Sequence, residues 1–296
     1  MTRAKEMGTM TARTDGSQRR TCTTCPHACR LLEGEVGLCR ARGVRDEQVE
    51  ALSYGRITSI ALDPVEKKPL ARWHPGKLLL SAGSYGCNLH CPFCQNHEIS
   101  QCGQNEVPWR SMPPGVLVDM AATARKRDPR VIGIAHTYNE PLVAWEYVGD
   151  VGLLARRVGL ANVIVSNGCV NWEVINKIAP LIDAANIDLK GFTDEYYRWC
   201  GGDLSCVKAT IQRLAAEPGC HLEVTCLIVS GHNDTADEMR ALSGWLASID
   251  PDITLHVTRC FPRWHMVGGY PTPVETVYEL ADVAREKLTY VYTGNC

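Results

Sequence analysis

The sequence predicts an α/β fold, a partial (β/α)6 TIM-like barrel preceded by a small N-terminal cysteine-rich metal module. From Leu78 onward, short apolar runs alternate with longer segments of helical pattern, an order typical of parallel βαβ units. No G-x-G-x-x-G follows the first run, which disfavours a doubly wound dinucleotide-binding sheet as the competing architecture. Four closely spaced cysteines before the first run predict the module.

The predicted elements follow one another regularly along the chain. Seven apolar runs are predicted as strands, the last being a possible extra edge strand: Leu78–Ala82, Val131–Thr137, Asn162–Ser166, Ala184–Leu189, Leu222–Val229, Thr254–Thr258 and Tyr290–Tyr292. Six segments are predicted as helices: Val116–Arg127, Leu142–Val158, Glu173–Ile182, Asp194–Ala216, Thr235–Ile249 and Val274–Lys287. A partial barrel of this kind is open on one side, and a large substrate such as a protein segment fits such an opening.

Three regions are predicted along the 296 residues, a length that suits one barrel-sized domain or two ordinary ones. Residues 1–20 are polar and charged without periodicity, which predicts a disordered tail. Residues 21–75 form the cysteine-rich module and its lead-in, and residues 76–296 form the barrel.

Composition and charge exclude several classes of protein. The chain is 45% hydrophobic with a formal net charge of -2, so a buried core is expected and a nucleic-acid partner is not. Met1–Arg20 has no apolar signal-peptide core, and no run of ~18 apolar residues is present. The 15 cysteines therefore predict a reduced cytoplasm, in a cell that tolerates an oxygen-sensitive cluster, rather than a secreted disulfide protein or a membrane protein.

A short loop after the first predicted strand carries the most specific chemistry. Cys87, Cys91 and Cys94 have the spacing C-x3-C-x2-C. Three thiolates on one loop hold three irons of a cubane iron–sulfur cluster and leave the fourth iron open to a substrate or cofactor. The loop is expected at the carboxyl end of a barrel strand, where active sites lie. A structural zinc site is the alternative, with His90 or His97 as its fourth ligand.

The amino-terminal cysteines predict a second metal site. Cys22, Cys25, Cys29 and Cys39 have the spacing C-x2-C-x3-C-x9-C, which is typical of one four-coordinate metal site. Zinc and an auxiliary iron–sulfur cluster both accept four thiolates, and the spacing leaves this choice open.

Charged and polar residues follow the other predicted strands where each strand ends. Asn139 and Glu140 suit an ammonium group, although Glu140 also suits a helix start before a proline. Asp188 and Lys190 alternate onto one face, where they serve a ligand or pair with each other. His256 on the sixth strand is a candidate ligand contact or a satisfied core histidine.

The cysteine loop resembles the signature of the radical S-adenosylmethionine (SAM) superfamily, and Phe93 just before the third cysteine is also typical of it. From about Cys22 to Asn295 the chain resembles the radical SAM branch of the AmmeMemoRadiSam system, within the pyruvate formate-lyase activating enzyme group. The shared motifs are Gly37–Cys39, Tyr54–Arg56, Asp63–Leu70, His74–Gly76, Cys94–Asn96, Tyr138–Pro141, Asp188–Lys190 and Tyr290–Asn295.

The resemblance implies a SAM site at the barrel mouth. Glu140 would bind the SAM amino group in a Gly-Gly-Glu-type element whose glycines are Tyr138 and Asn139 here. Lys190 would contact the SAM carboxylate, and Asp188 would hold a monovalent cation, although the usual acid of the third strand is replaced by a valine. The remaining implied contacts are Phe93, Ser166, Asn167 and, near the ribose or adenine, His256.

The function implied is reductive cleavage of SAM by a [4Fe-4S] cluster, which yields a 5′-deoxyadenosyl radical. The implied substrate is a glycine in a partner protein, as in glycyl-radical activation, and the implied electron donor is a flavodoxin or ferredoxin. Radical modification of a small molecule or peptide is the alternative, and a non-catalytic protein that keeps the loop as a staple is the alternative from another class. The sequence assigns no residue as a catalytic acid–base or hydrogen-relay group.

Overall fold

A computed structural model describes residues 18–296. The strands are β1 (Arg20–Thr21), β2 (Arg30–Leu31), β3 (Arg42–Arg45), β4 (Gln48–Ala51), β5 (Arg56–Ile57), β6 (Ser59–Pro64), β7 (Leu78–Gly83), β8 (Arg110–Ser111), β9 (Val131–His136), β10 (Ala161–Ser166), β11 (Ala184–Asp188), β12 (His221–Ile228), β13 (Thr254–Arg259) and β14 (Val291–Gly294). The α-helices are α1 (His97–Ser100), α2 (Pro114–Arg127), α3 (Trp145–Arg157), α4 (Trp172–Ile178), α5 (Asp194–Cys200), α6 (Leu204–Ala215), α7 (Ala236–Ile249) and α8 (Val274–Arg285). Short 3-10 helices cover Val65–Lys67, Pro141–Ala144, Ala179–Leu181 and Trp264–Met266.

One eight-stranded sheet organises the molecule, in the order β6-β7-β9-β10-β11-β12-β13-β14. All neighbours are parallel except β6, which pairs antiparallel with β7. The six predicted strands and the extra edge strand β14 all form, which confirms the α/β prediction. The carboxyl ends of the parallel strands therefore meet at one end of the sheet, which is where a site is expected.

The strand β6 was not predicted, because the residues between the cysteines of the module and residue 76 were interpreted only as a lead-in. Its sequence alternates exposed Ile60 and Leu62 with more buried Ala61 and Asp63, which is the period-2 pattern of a strand. The sheet therefore extends into the range 21–75. The boundary between module and barrel at residue 75 stays a prediction.

The single helix predicted over Asp194–Ala216 is wrong, since the structure has α5 and α6 there. Gly201 ends α5 with a left-handed backbone, φ +74°, a conformation that glycine adopts without strain. The Asp203 side chain then caps α6 by accepting a hydrogen bond from the Cys206 N–H at 3.0 Å. The Gly-Gly step at 201–202 was the signal for this break.

The opposite end of the barrel is closed by the chain segment before β7. Leu70 is fully buried, and the Pro69 carbonyl accepts a hydrogen bond from Asn186 Nδ2 at 2.8 Å. The Ala71 and Arg72 N–H groups donate to the Glu223 carboxylate at 2.9 and 2.8 Å. This segment therefore covers the amino ends of the strands near Asn186 and Glu223.

Most of the predicted tail lies outside the described residues, and the part that is described is ordered by pairing. Arg20 begins β1 opposite Leu31 of β2, and its side chain pairs with Glu47 at 2.9 Å. Within residues 18–296, no helix has the length and apolar character needed to span a membrane.

Candidate active site

A cavity of about 250 Å³ opens at the carboxyl ends of the strands. It collects side chains from the cysteine loop and from the ends of β9 to β13. Of the predicted site residues, those that line it are Cys87, Cys91, Phe93, Cys94, Tyr138, Asn139, Glu140, Ser166, Asn167, Asp188 and Lys190. The structure thus brings together residues that are spread over more than a hundred positions of sequence, as expected for parallel strand ends.

The three loop cysteines are free thiols in a largely buried environment. Burial raises the pKa of Cys87 well above its usual value, with the nearby Glu140 charge adding to the effect, and burial also raises that of Cys94. A hydrogen bond with the Cys200 thiol instead lowers the pKa of Cys91. Cys87 and Cys94 therefore favour the thiolate only when a cation binds, and a bound metal supplies that charge. This donor set fits a cluster ligated by three cysteines.

Asn139 holds the backbone of the cysteine loop in place. Its Oδ1 accepts a hydrogen bond from the Ser84 N–H at 2.9 Å, and its Nδ2 donates to the carbonyls of Tyr85 and Gly86 at 3.2 and 3.1 Å. With these bonds, and one to the Glu140 carbonyl at 3.2 Å, the amide is fully used within the protein. Asn139 therefore orders the entry to the loop, and its predicted contact with SAM stays a prediction.

Phe93 packs inward from the loop. It is nearly fully buried, and its ring centroid lies 5.6 Å from that of Trp199 and 6.3 Å from that of Tyr196 on α5. The loop is thereby anchored on α5 by aromatic packing, and a backbone hydrogen bond from His90 N to the Cys200 carbonyl at 2.9 Å adds to this anchor.

Tyr138 occupies a glycine-like conformation. Its φ is +75°, a left-handed backbone that is uncommon for an aromatic residue. Its hydroxyl donates to Asp63 Oδ2 at 2.6 Å, and the Lys68 ammonium lies 4.7 Å from its ring centroid. These contacts hold the strained backbone. The element therefore keeps the backbone that a glycine would adopt, although both glycines of the Gly-Gly-Glu pattern are absent.

Glu140 is buried at the base of the cavity. Its carboxylate accepts hydrogen bonds from Ser166 Oγ at 2.7 Å, Asn167 N at 2.7 Å and Leu142 N at 2.9 Å. The last of these caps the 3-10 helix that follows, as the helix-start interpretation expected. Burial raises the pKa of Glu140 to about 7 even though these donors lower it, because none of the three carries a positive charge.

Asn167 connects the third strand end to the cysteine loop. Its Nδ2 donates to Asn88 Oδ1 at 3.0 Å and lies 3.5 Å from Cys87 Sγ, while its Oδ1 accepts from Cys169 N at 2.8 Å. Ser166 and Asn167 together thus join Glu140 to the loop, so that the three predicted contacts form one hydrogen-bonded unit.

Asp188 and Lys190 form an ion pair on the cavity wall, with Lys190 Nζ 2.9 Å from Asp188 Oδ2. Burial alone would lower the pKa of Lys190, but the charge of Asp188 raises it well above its usual value. The ammonium is therefore cationic beside the cavity, and both the pairing and the ligand interpretation of these residues are compatible with this geometry.

His256 does not line the cavity. Its Nε2 lies 2.6 Å from Glu223 Oε2 and its ring stacks on Tyr292, one layer below Thr258, which does line the cavity. His256 therefore has the position of a core histidine whose hydrogen bond is satisfied. Its contact with the ribose or adenine stays a prediction.

Several lining residues were not predicted as site residues, because they carry no charge and the sequence assigned them no role at the site. Gln95 Nε2 donates to the Phe261 carbonyl at 2.7 Å, and Asn96 Nδ2 donates to the Tyr138 carbonyl at 2.8 Å. Only the Cys94-Gln95-Asn96 step of the resemblance pointed to them. The other missed residues are Leu89, Ser100, Gln101, Thr137, Val165, Thr225, Leu227 and Thr258.

A second cavity, also about 250 Å³, lies beside the first. Gln95, Asn96 and Tyr138 line both cavities. The second one runs along the start of β6, with Ile60 and α1 on its walls. The site therefore continues toward the edge of the sheet, where β6 ends the strand order.

The amino-terminal cysteines lie close to the cavity but outside it. Cys22, Cys25 and Cys39 are buried free thiols, and burial, together with the charges of its neighbours Cys39 and Cys22, raises the pKa of Cys25 to about 12. The Cys29 sulfur lies next to Gly37. Within the described residues, no group of three or more His, Cys, Asp or Glu is arranged around a point that would hold a single metal ion, so a second metal site stays a prediction.

Sequence comparison identifies relatives over most of the chain. The Radical SAM superfamily profile matches residues 82–246, more than half of the chain. An uncharacterized protein of Methanocaldococcus jannaschii is 38% identical over 276 residues, which cover 93% of this chain and 80% of the relative. The 4-hydroxyphenylacetate decarboxylase activating enzyme of Clostridioides difficile is 28% identical over 156 residues, about half of each chain.

Solved structures share the fold. A radical SAM methyltransferase from Sphaerobacter thermophilus superposes with a TM-score of 0.58 at 14% identity, covering 74% of this chain and 66% of its own. SuiB of Streptococcus suis superposes with a TM-score of 0.55 at 11% identity, covering 78% of this chain and 53% of its own. With the cysteine loop at the strand ends and a matching profile over the same strands, the chain belongs to the radical SAM superfamily, whose members bind a [4Fe-4S] cluster and SAM.

Proposed function

We propose that this radical SAM enzyme activates a partner protein by abstracting hydrogen from a glycine, and that it belongs to the AmmeMemoRadiSam branch. The observation that carries the proposal is the open cavity around Cys87, Cys91 and Cys94, which continues along the edge strand β6. An opening on the side of the sheet suits an extended segment of a large substrate. A relative named as the activating enzyme of a decarboxylase supports the same class of substrate.

When bound, the cluster would supply one electron for the reductive cleavage of SAM to methionine and a 5′-deoxyadenosyl radical. The chain's own residues bind and orient. Glu140, which has no cationic partner among its hydrogen-bond donors, is suited to the SAM ammonium group. Lys190, a cation on the cavity wall, is suited to the SAM carboxylate, with Asp188 holding the ammonium in place or binding a monovalent cation.

The proposal includes a second metal, zinc or an auxiliary iron–sulfur cluster, on Cys22, Cys25, Cys29 and Cys39. The spacing of these cysteines and the burial of Cys22, Cys25 and Cys39 support it, because a buried thiol ionises more readily beside a bound cation. A flavodoxin or ferredoxin is the proposed electron donor, and a reducing cytoplasm is the proposed location.

The test is anaerobic incubation of the reconstituted enzyme with dithionite and SAM, followed by quantification of 5′-deoxyadenosine. Candidate glycyl-radical enzymes are then added, and the electron paramagnetic resonance (EPR) spectrum of the partner is recorded. We expect 5′-deoxyadenosine from the enzyme and a doublet signal on one partner. The Cys94→Ala variant is the control, since it removes one ligand of the proposed cluster.

Two results contradict the proposal at different levels. Protein with a full cluster that forms no 5′-deoxyadenosine from SAM would support the non-catalytic alternative. Formation of 5′-deoxyadenosine together with a modified small molecule or peptide, and no radical on any partner, would refute the protein substrate while leaving the SAM chemistry intact.

A further inference from the structure

The amino-terminal module touches the cysteine loop at the loop's first ligand. The Cys87 N–H donates to the Cys39 carbonyl at 3.2 Å. Next along the loop, His27 Nε2 donates to the Asn88 carbonyl at 2.8 Å. The two predicted metal sites are therefore joined by a backbone hydrogen bond. Cys39, a proposed ligand of the amino-terminal site, accepts it, and Cys87, a proposed ligand of the loop cluster, donates it.

The packing at this contact leaves no spare room. Gly86 has φ +86°, and a Cβ there would lie 2.5 Å from the Cys39 carbonyl oxygen and 2.7 Å from Ala41 Cβ. A second contact lies beside it, where Asn171 N donates to the Thr24 carbonyl at 3.0 Å. The module is thus fitted against both the cysteine loop and the segment that follows β10, and a shift of its backbone would be transmitted to both.

Asn88 carries the contact into the site. It is fully buried, and its Nδ2 donates to the Cys169 carbonyl at 2.6 Å while its Oδ1 accepts from Asn167 Nδ2 at 3.0 Å. Asn167 N in turn donates to Glu140 at 2.7 Å. A continuous chain of hydrogen bonds thus leads from His27 in the module to the carboxylate at the base of the cavity.

We propose that metal bound by the amino-terminal cysteines positions the cysteine loop, with the Cys39 carbonyl and His27 as positioning residues for Cys87 and Asn88. The inference rests on the second metal site proposed above. Around Cys22–Cys39 the strand pairing is the two-residue pair β1–β2, so bound metal would add to the contacts that fix this backbone. Hydrogen-bond partners that hold a metal ligand in place typically raise metal affinity about 10- to 100-fold.

The first test removes the module's metal and leaves the loop ligands intact. Cys25→Ala is compared with wild type and with Cys220→Ala, a free thiol just before β12 at the opposite end of the strands. Iron, zinc and sulfide are quantified per chain after anaerobic purification, and the loop cluster is followed by EPR. We expect Cys25→Ala to lose the module metal. We also expect a chelator to remove iron from the loop cluster of this variant about tenfold faster than from wild type. Cys220→Ala should match wild type.

The second test breaks the contact and keeps all seven proposed ligands. His27→Ala removes the donor to Asn88, and His27→Gln restores an amide N–H in a similar place. We expect His27→Ala to keep the module metal, to lose loop iron to the chelator about tenfold faster than wild type, and to have a shifted EPR spectrum of the reduced loop cluster. His27→Gln should recover most of both, which a merely destabilised fold would not explain.

The outcomes separate the two proposals. A single metal site in wild type, with metal content unchanged in Cys25→Ala, would refute the second site and with it this inference. A module metal that is lost in Cys25→Ala, while the loop cluster keeps wild-type chelator resistance and EPR spectrum, would refute the positioning role alone. Wild-type chelator resistance and a wild-type EPR spectrum of the loop cluster in His27→Ala would also refute the positioning role alone.

Discussion

Two buried carboxylates, one at each end of the barrel, have opposite electrostatic environments. Glu140, beside the cavity, accepts hydrogen bonds only from a hydroxyl and two backbone N–H groups. Glu223, at the closed end, accepts from His221 and His256 at 2.8 and 2.6 Å and from two backbone N–H groups. Burial raises the pKa of Glu140 to about 7. For Glu223, burial has the same tendency, but its hydrogen bonds, first those from the two histidines, lower the pKa to about 2.

The difference separates a carboxylate that has no cationic hydrogen-bond donor within the protein from one that its neighbours stabilise in the ionised form. Glu223 contributes stability that is present above the ordinary carboxyl pKa and is lost as pH falls toward 2. Glu140 does the reverse: its folded form keeps a proton that the unfolded chain has already lost, so its contribution falls as pH rises from 4.5 to about 7. The ionised Glu140 carboxylate costs stability at neutral pH, and a bound cationic ligand would compensate its charge.

The largest expected effect is on stability, from Glu223→Gln. The amide keeps the shape but loses the charge that the two histidines and two N–H groups surround, and we expect a loss of about 3 kcal/mol in the free energy of unfolding at pH 7. Urea unfolding monitored by circular dichroism measures it. Affinity for SAM should stay within about twofold of wild type, and a large loss of SAM binding would assign Glu223 to the site.

Glu140→Gln should have its main effect on the ligand. Without the carboxylate, the SAM ammonium group loses its buried partner, and we expect SAM affinity to fall about 100-fold. Equilibrium dialysis with anaerobically reconstituted protein measures this. Unfolding stability at pH 7 should fall less than in Glu223→Gln, since the amide removes an uncompensated charge, although its NH2 group faces a donor that the carboxylate accepted from. Wild-type affinity in Glu140→Gln would exclude Glu140 as the ammonium partner.

SAM binding should depend on pH through Glu140. Because ammonium binding requires the ionised carboxylate and the pKa of Glu140 is about 7, affinity should weaken about fivefold from pH 7 to pH 6. Glu140→Gln should abolish this dependence, whereas Glu223→Gln should retain it. A pH dependence that persists in Glu140→Gln would assign the titration to another group.

The smallest expected effect comes from Ser166→Ala. Loss of the hydroxyl that donates to Glu140 at 2.7 Å removes one favourable contact to the ionised form, worth about 1 kcal/mol. The pH midpoint of SAM binding should therefore move upward by less than about one unit. Ser243→Ala, which removes a buried hydroxyl bonded to a helix carbonyl on α7, is the matched control and should leave the midpoint unchanged.

The sequence was sufficient for the parallel strands and for the residues at their ends, because buried strands have continuous apolar runs and strand ends share one edge. The polar networks could not be predicted from the sequence, because Asn88, Glu223 and Tyr138 form hydrogen bonds with partners that are distant in the chain. His256 illustrates this limit. The strand that carries it was predicted, but its position below the cavity depends on its contact with Glu223, which only the folded structure shows. The break at residues 201–202 and the edge strand β6 carried local signals that could have been used.

Tyr138 has a consequence for the shape of the two neighbouring cavities. Tyr138 lines both cavities together with Gln95 and Asn96. The passage from the cysteine loop toward the sheet edge is therefore bordered by an aromatic residue that Asp63 and Lys68 hold in place. A glycine at this position would keep the left-handed backbone and widen the passage between the two cavities.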